Sequence, residues 1–107
     1  ETEEKILRWQ TLAVDVAAIV ACVDNGDDAP VMLDLTPTEF SLLATLLRSP
    51  AHPFSRQYLL EHCLPESEAL ERVVDTHIYN LRKKLEAVGI SGVLINVRGV
   101  GYRFRQP

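Results

Sequence analysis

Between Leu70 and Arg105 the chain changes periodicity once, and that change restricts its fold more than any other feature. From Leu70 to Val88 the apolar residues recur with a helical period. At about 100° per residue, Leu70, Val74, His77, Ile78, Leu81, Leu85 and Val88 share one stripe. Arg72, Thr76, Tyr79 and Lys83 fall on the opposite side, with Asn80 and Arg82 on its two flanks. Gly89 supplies the positive φ of a C-terminal cap. Beyond it, Leu94–Val97 and Tyr102–Arg105 read as two strands turning at Arg98-Gly-Val-Gly101. A helix over 69–88 that must bury one face is thus followed at once by a hairpin over 93–105.

The upstream part completes a mixed pattern. Residues 1–35 read as a small antiparallel meander of three or four strands. Ile6–Trp9 is short and mixed, and Thr11–Val23 is rich in Val, Ile and Ala. Asp24-Asn-Gly-Asp-Asp28 is a turn signal, and Val31–Leu35 resumes an extended pattern. Ala17-Ala-Ile-Val-Ala21 fits a helix by propensity as well. Thr36-Pro-Thr-Glu39 is a helix start: Thr36 caps, Pro37 suits the first helical position, and Glu39 completes a capping box. Ser49-Pro50 stops that helix. Ser55 caps a second one, with Tyr58, Leu59 and Cys63 facing inward and Pro65 ending it. The expected architecture is α+β in one domain, 1–107: an N-terminal sheet (1–35), a three-helix core (36–88) and a C-terminal hairpin (93–105).

With 107 residues and 47% hydrophobic content, the chain has room for one modest core. No apolar run is long enough to span a bilayer, and Glu-Thr-Glu-Glu at the start is the wrong charge for a signal peptide. A cytoplasmic, membrane-free protein is expected, and the lack of an initial Met suggests a piece of a longer chain. Cys22 and Cys63 form no metal spacing, and a reduced pair is expected over a disulfide.

The formal net charge is −4, but it is unevenly spread. Residues 1–35 hold eight acids and two bases, a net of −6, whereas residues 76–107 hold six bases and one acid, a net of +5. Charges further apart than a Debye length of about 8 Å are largely screened, so a polyanion would meet the basic end alone. Arg and Asn are suited to bidentate contact with guanine and adenine edges in a major groove. A helix with such a face, beside a basic hairpin able to reach a neighbouring groove, is a DNA-reading arrangement. A plainly solvated face fits the same helix residues.

Other features have structural explanations. Gly99 and Gly101 suit a tight hairpin and lack the surroundings of a phosphate loop. Tyr102 and Phe104 suit the core or the hairpin base, His77 a packed position, and Trp9 an anchor between sheet and helices. Asp75 and Arg56 are candidates for a pair orienting two helices. Arg103 and Arg105 share the hairpin's outer face, where phosphate contact and a solvated edge fit equally. His62 and Cys63 point to different helix faces, so no metal site is expected. No nucleophile elbow, HExxH or nucleotide loop is present, so neither enzyme activity nor a cofactor is expected.

Four segments then carry a resemblance. Leu35-Thr-Pro-Thr-Glu-Phe40 with Leu42-Leu43, Phe54-Ser-Arg-Gln-Tyr-Leu-Leu60, Glu71–Leu85, and Val97-Arg-Gly-Val-Gly-Tyr-Arg-Phe104 resemble, in order and spacing, the winged helix-turn-helix effector domain of OmpR/PhoB-type response regulators. Glu61-His-Cys-Leu64, Ala69-Leu-Glu-Arg72 and Leu94–Gly101 are most similar to efflux-operon regulators of the AdeR, SmeR and BaeR kind. The resemblance implies a recognition helix over 69–88 in the major groove, with Arg72, Thr76, Tyr79, Asn80, Arg82 and Lys83 facing DNA. It implies Arg98 in the minor groove with Asn96 nearby, and the 64–68 loop facing RNA polymerase. It further implies a missing upstream receiver domain, phosphorylated by a sensor kinase. The isolated domain would be a monomer, and the phosphorylated whole a dimer on direct-repeat half-sites. Leu64, Val73 and Asn80 depart from the residues common in relatives. The first two remove backbone contacts, and the third shifts the expected base preference from guanine towards adenine. The acidic net charge and acidic loop leave one alternative open, a protein-contact module that docks on polymerase with little DNA affinity.

Overall fold

The computed structural model describes residues 6–64 and 70–106. Four strands open the chain: β1 (Ile6–Trp9), β2 (Leu12–Asp15), β3 (Val20–Asn25) and β4 (Asp28–Met32), antiparallel in the order β1-β2-β3-β4. The expected meander is present, with two differences. Thr11–Val23 is broken by a turn over 16–19, where Asp15 Oδ1 accepts the Ala18 N–H at 3.1 Å. The last strand runs Asp28–Met32 rather than Val31–Leu35: it begins early because Gly26 (φ +71°) lets the chain reverse in two residues and Asp28 already pairs with Asn25, and 33–35 lie beyond its end. Period-two burial puts Leu12, Val14, Ala21 and Val23 on the inner face.

Helix α1 (Pro37–Arg48) starts at the anticipated capping box. The Glu39 N–H donates to Thr36 Oγ1 at 3.1 Å and the Thr36 N–H donates to Glu39 Oε1 at 3.0 Å. Its Leu42, Leu43, Leu46 and Leu47 are buried, and the helix packs on β1. Strand β5 (Phe54–Ser55) leads directly into α2 (Arg56–Cys63), where Ser55 Oγ accepts the Tyr58 N–H at 3.0 Å. Leu59 and Cys63 face inward, but Tyr58 does not: it lies exposed, stacked on His62 and tilted against Phe54. Leu59 and Cys63, four apart, define the buried line, and Tyr58 sits one step off it.

Helix α3 (Arg72–Ala87) is shorter than the anticipated 69–88. The Val73 and Val74 N–H groups bond back three residues to Leu70 and Glu71 carbonyls, so entry is by a tight turn and Leu70 lies exposed ahead of the helix. Val74, Ile78, Leu81 and Leu85 are fully buried, while His77 and Val88 are half-buried. Ala69 and the 65–68 part of the loop, with Pro65, fall outside the described residues.

Strands β6 (Leu94–Val97) and β7 (Gly101–Phe104) form the hairpin, and β5 joins it in the order β5-β7-β6. The hairpin's second strand starts and ends one residue earlier than the expected Tyr102–Arg105, so Arg105 lies beyond it. Gly99 has φ +77°, as the turn requires. Gly101 serves another purpose: a Cβ there would lie 2.0 Å from the Phe54 carbonyl oxygen, so glycine is what lets β5 pass alongside. Trp9 is buried, edge-on to Phe104, and its Nε1–H donates to the Arg105 carbonyl at 2.7 Å, tying sheet to hairpin. Among the described residues no helix is long and apolar enough to cross a membrane.

Candidate nucleic-acid interface

Because the stripe Val74–Leu85 is driven into the core, the opposite side of α3 is held outward by default. Arg72, Thr76, Tyr79, Asn80 and Lys83 are all exposed on it. Tyr79, 54% exposed, carries the Lys83 ammonium 5.3 Å from its ring centroid, which holds that charge along the helix axis. Asn96 and Arg98 are exposed on the hairpin, Arg98 in the turn itself. Seven of the eight anticipated site residues are therefore exposed, five on the outward side of α3 and two on the hairpin.

Arg82 differs. It is half-buried, and its Nη2 donates to the Leu94 carbonyl at 2.9 Å, so the side chain braces α3 against β6. Lys84, also basic, is turned the other way. Its Nζ donates to Glu39 Oε1 at 2.7 Å and to the Asp34 carbonyl at 2.8 Å. Glu39 is only 3% exposed. Burial pushes its pKa up, but the hydrogen bond and charge of Lys84 and the bonds from Thr36 outweigh that and hold it below 4.5. Among the described residues, Lys83 and Arg98 make no such bond to backbone or carboxylate, whereas Lys84 does.

The pair Arg56–Asp75 forms as anticipated: Arg56 Nε donates to Asp75 Oδ1 at 2.9 Å. A third partner was not anticipated. The buried Tyr102 hydroxyl donates to the same Oδ1 at 2.5 Å. Burial first, then this bond to the carboxylate, raises the Tyr102 pKa above 10, with Arg56 opposing. No sequence spacing signals this link, since Tyr102 and Asp75 are brought together only when the hairpin packs on α3. Arg56, Glu71, Asn96 and the Gly99–Gly101 turn also line a shallow recess between α2 and the hairpin. Arg105 stands at the other end of the hairpin, in a recess with Trp9 and Ile90, away from the Arg98 turn.

A three-helix frame, an exposed polar helix face and a basic hairpin beside it make up a winged helix-turn-helix. The family model "Transcriptional regulatory protein, C terminal" matches residues 30–104. The phosphate regulon transcriptional regulatory protein PhoB of Klebsiella pneumoniae is 39% identical over 102 residues, covering 94% of this chain and 42% of its own length. The transcriptional regulatory protein BaeR of Escherichia coli O6:H1 is 48% identical over 75 residues, covering 68% and 31%. The crystal structure of the response regulator AdeR DNA-binding domain, solved in complex with an intercistronic region, matches with a TM-score of 0.84 at 38% identity, covering 94% of this chain and 99% of that one. This chain belongs to the OmpR/PhoB family of response regulators, as the C-terminal DNA-binding domain. It spans less than half the length of those two curated relatives. The family is one of transcription regulators rather than an enzyme class.

Proposed function

We propose that the chain binds double-stranded promoter DNA sequence-specifically, with α3 in the major groove and the β6–β7 hairpin at the adjacent minor groove. The observation that carries this is the shared exposure of Arg72, Thr76, Tyr79, Asn80 and Lys83 beside Asn96 and Arg98. In this reading Asn80 reads a base through its amide, which pairs best with adenine. Tyr79 touches a thymine methyl or the backbone. Arg72 and Lys83 meet phosphates, and Arg98 enters a narrow A·T-rich minor groove, where the negative potential is strongest. Arg82 acts mainly as a brace. The AdeR domain's complex with an intercistronic region supports DNA as the ligand.

The whole protein is proposed to carry an upstream receiver domain, phosphorylated by a sensor kinase, and to act as a dimer on direct-repeat half-sites about one helical turn apart. Similarity to BaeR and AdeR supports control of a multidrug efflux operon. RNA polymerase contact is assigned to the 64–68 loop, of which only Leu64 is among the described residues.

Single substitutions test the assignment. Asn80→Ala is expected to lose discrimination at one or two base positions, worth about 1–3 kcal/mol each. Arg98→Ala is expected to weaken binding on all sequences and to lower the salt slope by about one. Equal loss on specific and random duplex for Asn80→Ala would refute its reading role.

A further inference from the structure

The recognition helix and the hairpin are bracketed together along one flank of α3. Asp75 and Arg82 are seven residues apart, nearly two turns, so they point the same way and sit about 10 Å apart along the axis. Asp75 holds the Tyr102 hydroxyl and Arg82 holds the Leu94 carbonyl. On the hairpin, Tyr102 pairs with Asn96, two residues beyond Leu94 towards the turn. On its α3 side the hairpin is thus pinned at two points, of which Asp75 is nearer the tip, while β5 pairs with Tyr102 and Gly101 along the other edge of β7. Arg98 stands two residues past Asn96, an overhang of about 7 Å at strand rise. Asn80 lies about 140° round the helix from Asp75, outside this bracket.

We propose that Asp75, acting through the Tyr102 hydroxyl, is a positioning residue that fixes the distance between recognition helix and wing, and so lets Arg98 and α3 engage DNA together. The inference rests on the DNA reading above. Asp75 itself need not touch the duplex. Its charge is met by Arg56, which relieves the repulsion that a bare carboxylate at this edge would exert on phosphates. The bracket is local to the wing: cutting it frees the hairpin's α3 side to shift about the β5 pairing, and Arg98 with it, but leaves the buried stripe that presents Asn80 in place.

A double-mutant cycle tests this. The probe is a duplex carrying the sequence that the unaltered chain enriches from a random pool, and Kd is measured by anisotropy. Arg98→Ala alone is expected to weaken binding about tenfold. In a Tyr102→Phe background, which keeps the buried ring, the same change should weaken it by less than about threefold, because the unpinned wing has already lost its contact. Asn80→Ala should cost the same factor in both backgrounds. Asp75→Ala should mimic Tyr102→Phe. Asp75→Asn, whose Oδ1 still accepts from Tyr102, should restore most of the Arg98 effect. An unchanged Arg98→Ala factor in Tyr102→Phe overturns the proposal. So does equal loss of the Asn80 and Arg98 effects, which would mean that Tyr102 supports the whole domain rather than the wing. If neither Arg98→Ala nor Asn80→Ala changes affinity in the unaltered chain, the DNA reading itself fails.

Discussion

Gly101→Ala should destabilise the domain more than Gly99→Ala, although both glycines sit beside the same turn. At Gly99 a Cβ meets nothing within 4 Å, and the only cost is holding an L-residue at φ +77°. That is worth about 1–2 kcal/mol. At Gly101 the backbone is unstrained, but the new Cβ lands 2.0 Å from the Phe54 carbonyl oxygen, 2.9 Å from Ser55 Cα and 3.0 Å from the Phe54 carbonyl carbon. All three are backbone atoms, so no rotamer change relieves the clash. Strand β5 must move by more than an ångström, which strains the Phe54–Tyr102 and Ser55–Gly101 pairings and the Ser55 cap of α2. Overpacking typically costs about 1–3 kcal/mol, and weakening one or two backbone bonds adds about 1 kcal/mol. The expected total is about 2–4 kcal/mol. In a domain of this size that lowers Tm by roughly 8–16 °C, against about 4–8 °C for Gly99→Ala. Thermal unfolding followed by circular dichroism measures both. A Gly99→Ala loss equal to or larger than that of Gly101→Ala would refute the close-approach argument.

Three further outcomes follow from the same contacts. Glu39 has a folded pKa held below 4.5, so its stabilisation is present above that value and is lost as pH falls through the folded one. Glu39→Gln should therefore flatten the acid limb of stability just below pH 4.5, as read from urea midpoints across that range. Trp9→Phe removes the donor to the Arg105 carbonyl while keeping most of the packing, and should cost about 1 kcal/mol in urea unfolding. Lys83→Ala should lower the slope of log K on log salt by about one, whereas Lys84→Ala, whose ammonium is bound to Glu39, should leave the DNA slope unchanged and lower stability instead.

Local signals were legible and long-range ones were not. The α1 start was readable because Thr36 and Glu39 bond within one turn, and the α3 stripe because helical period and burial coincide. The turn at 16–19 was hidden, since it holds no glycine or proline. Its signal is the Asp15 carboxylate, and Ile19 enters φ +57° against its usual preference. Gly101 looked like a turn residue because β5, two residues long and 46 positions away, has no pattern of its own. In the candidate site the exposed residues followed from the stripe, but the bracing role of Arg82 did not. A basic residue on a helix flank looks the same whether it faces solvent or a carbonyl that packing brings to it.

The central claim, sequence-specific duplex binding through α3 and the wing, is tested most directly by one titration. The chain is mixed with a pool of random duplexes at two salt concentrations, binding is followed by fluorescence anisotropy, and the bound fraction is sequenced. Binding that falls steeply with salt, with enrichment of a common site, is the predicted result. Binding indifferent to salt, or a bound fraction as random as the input, would contradict it.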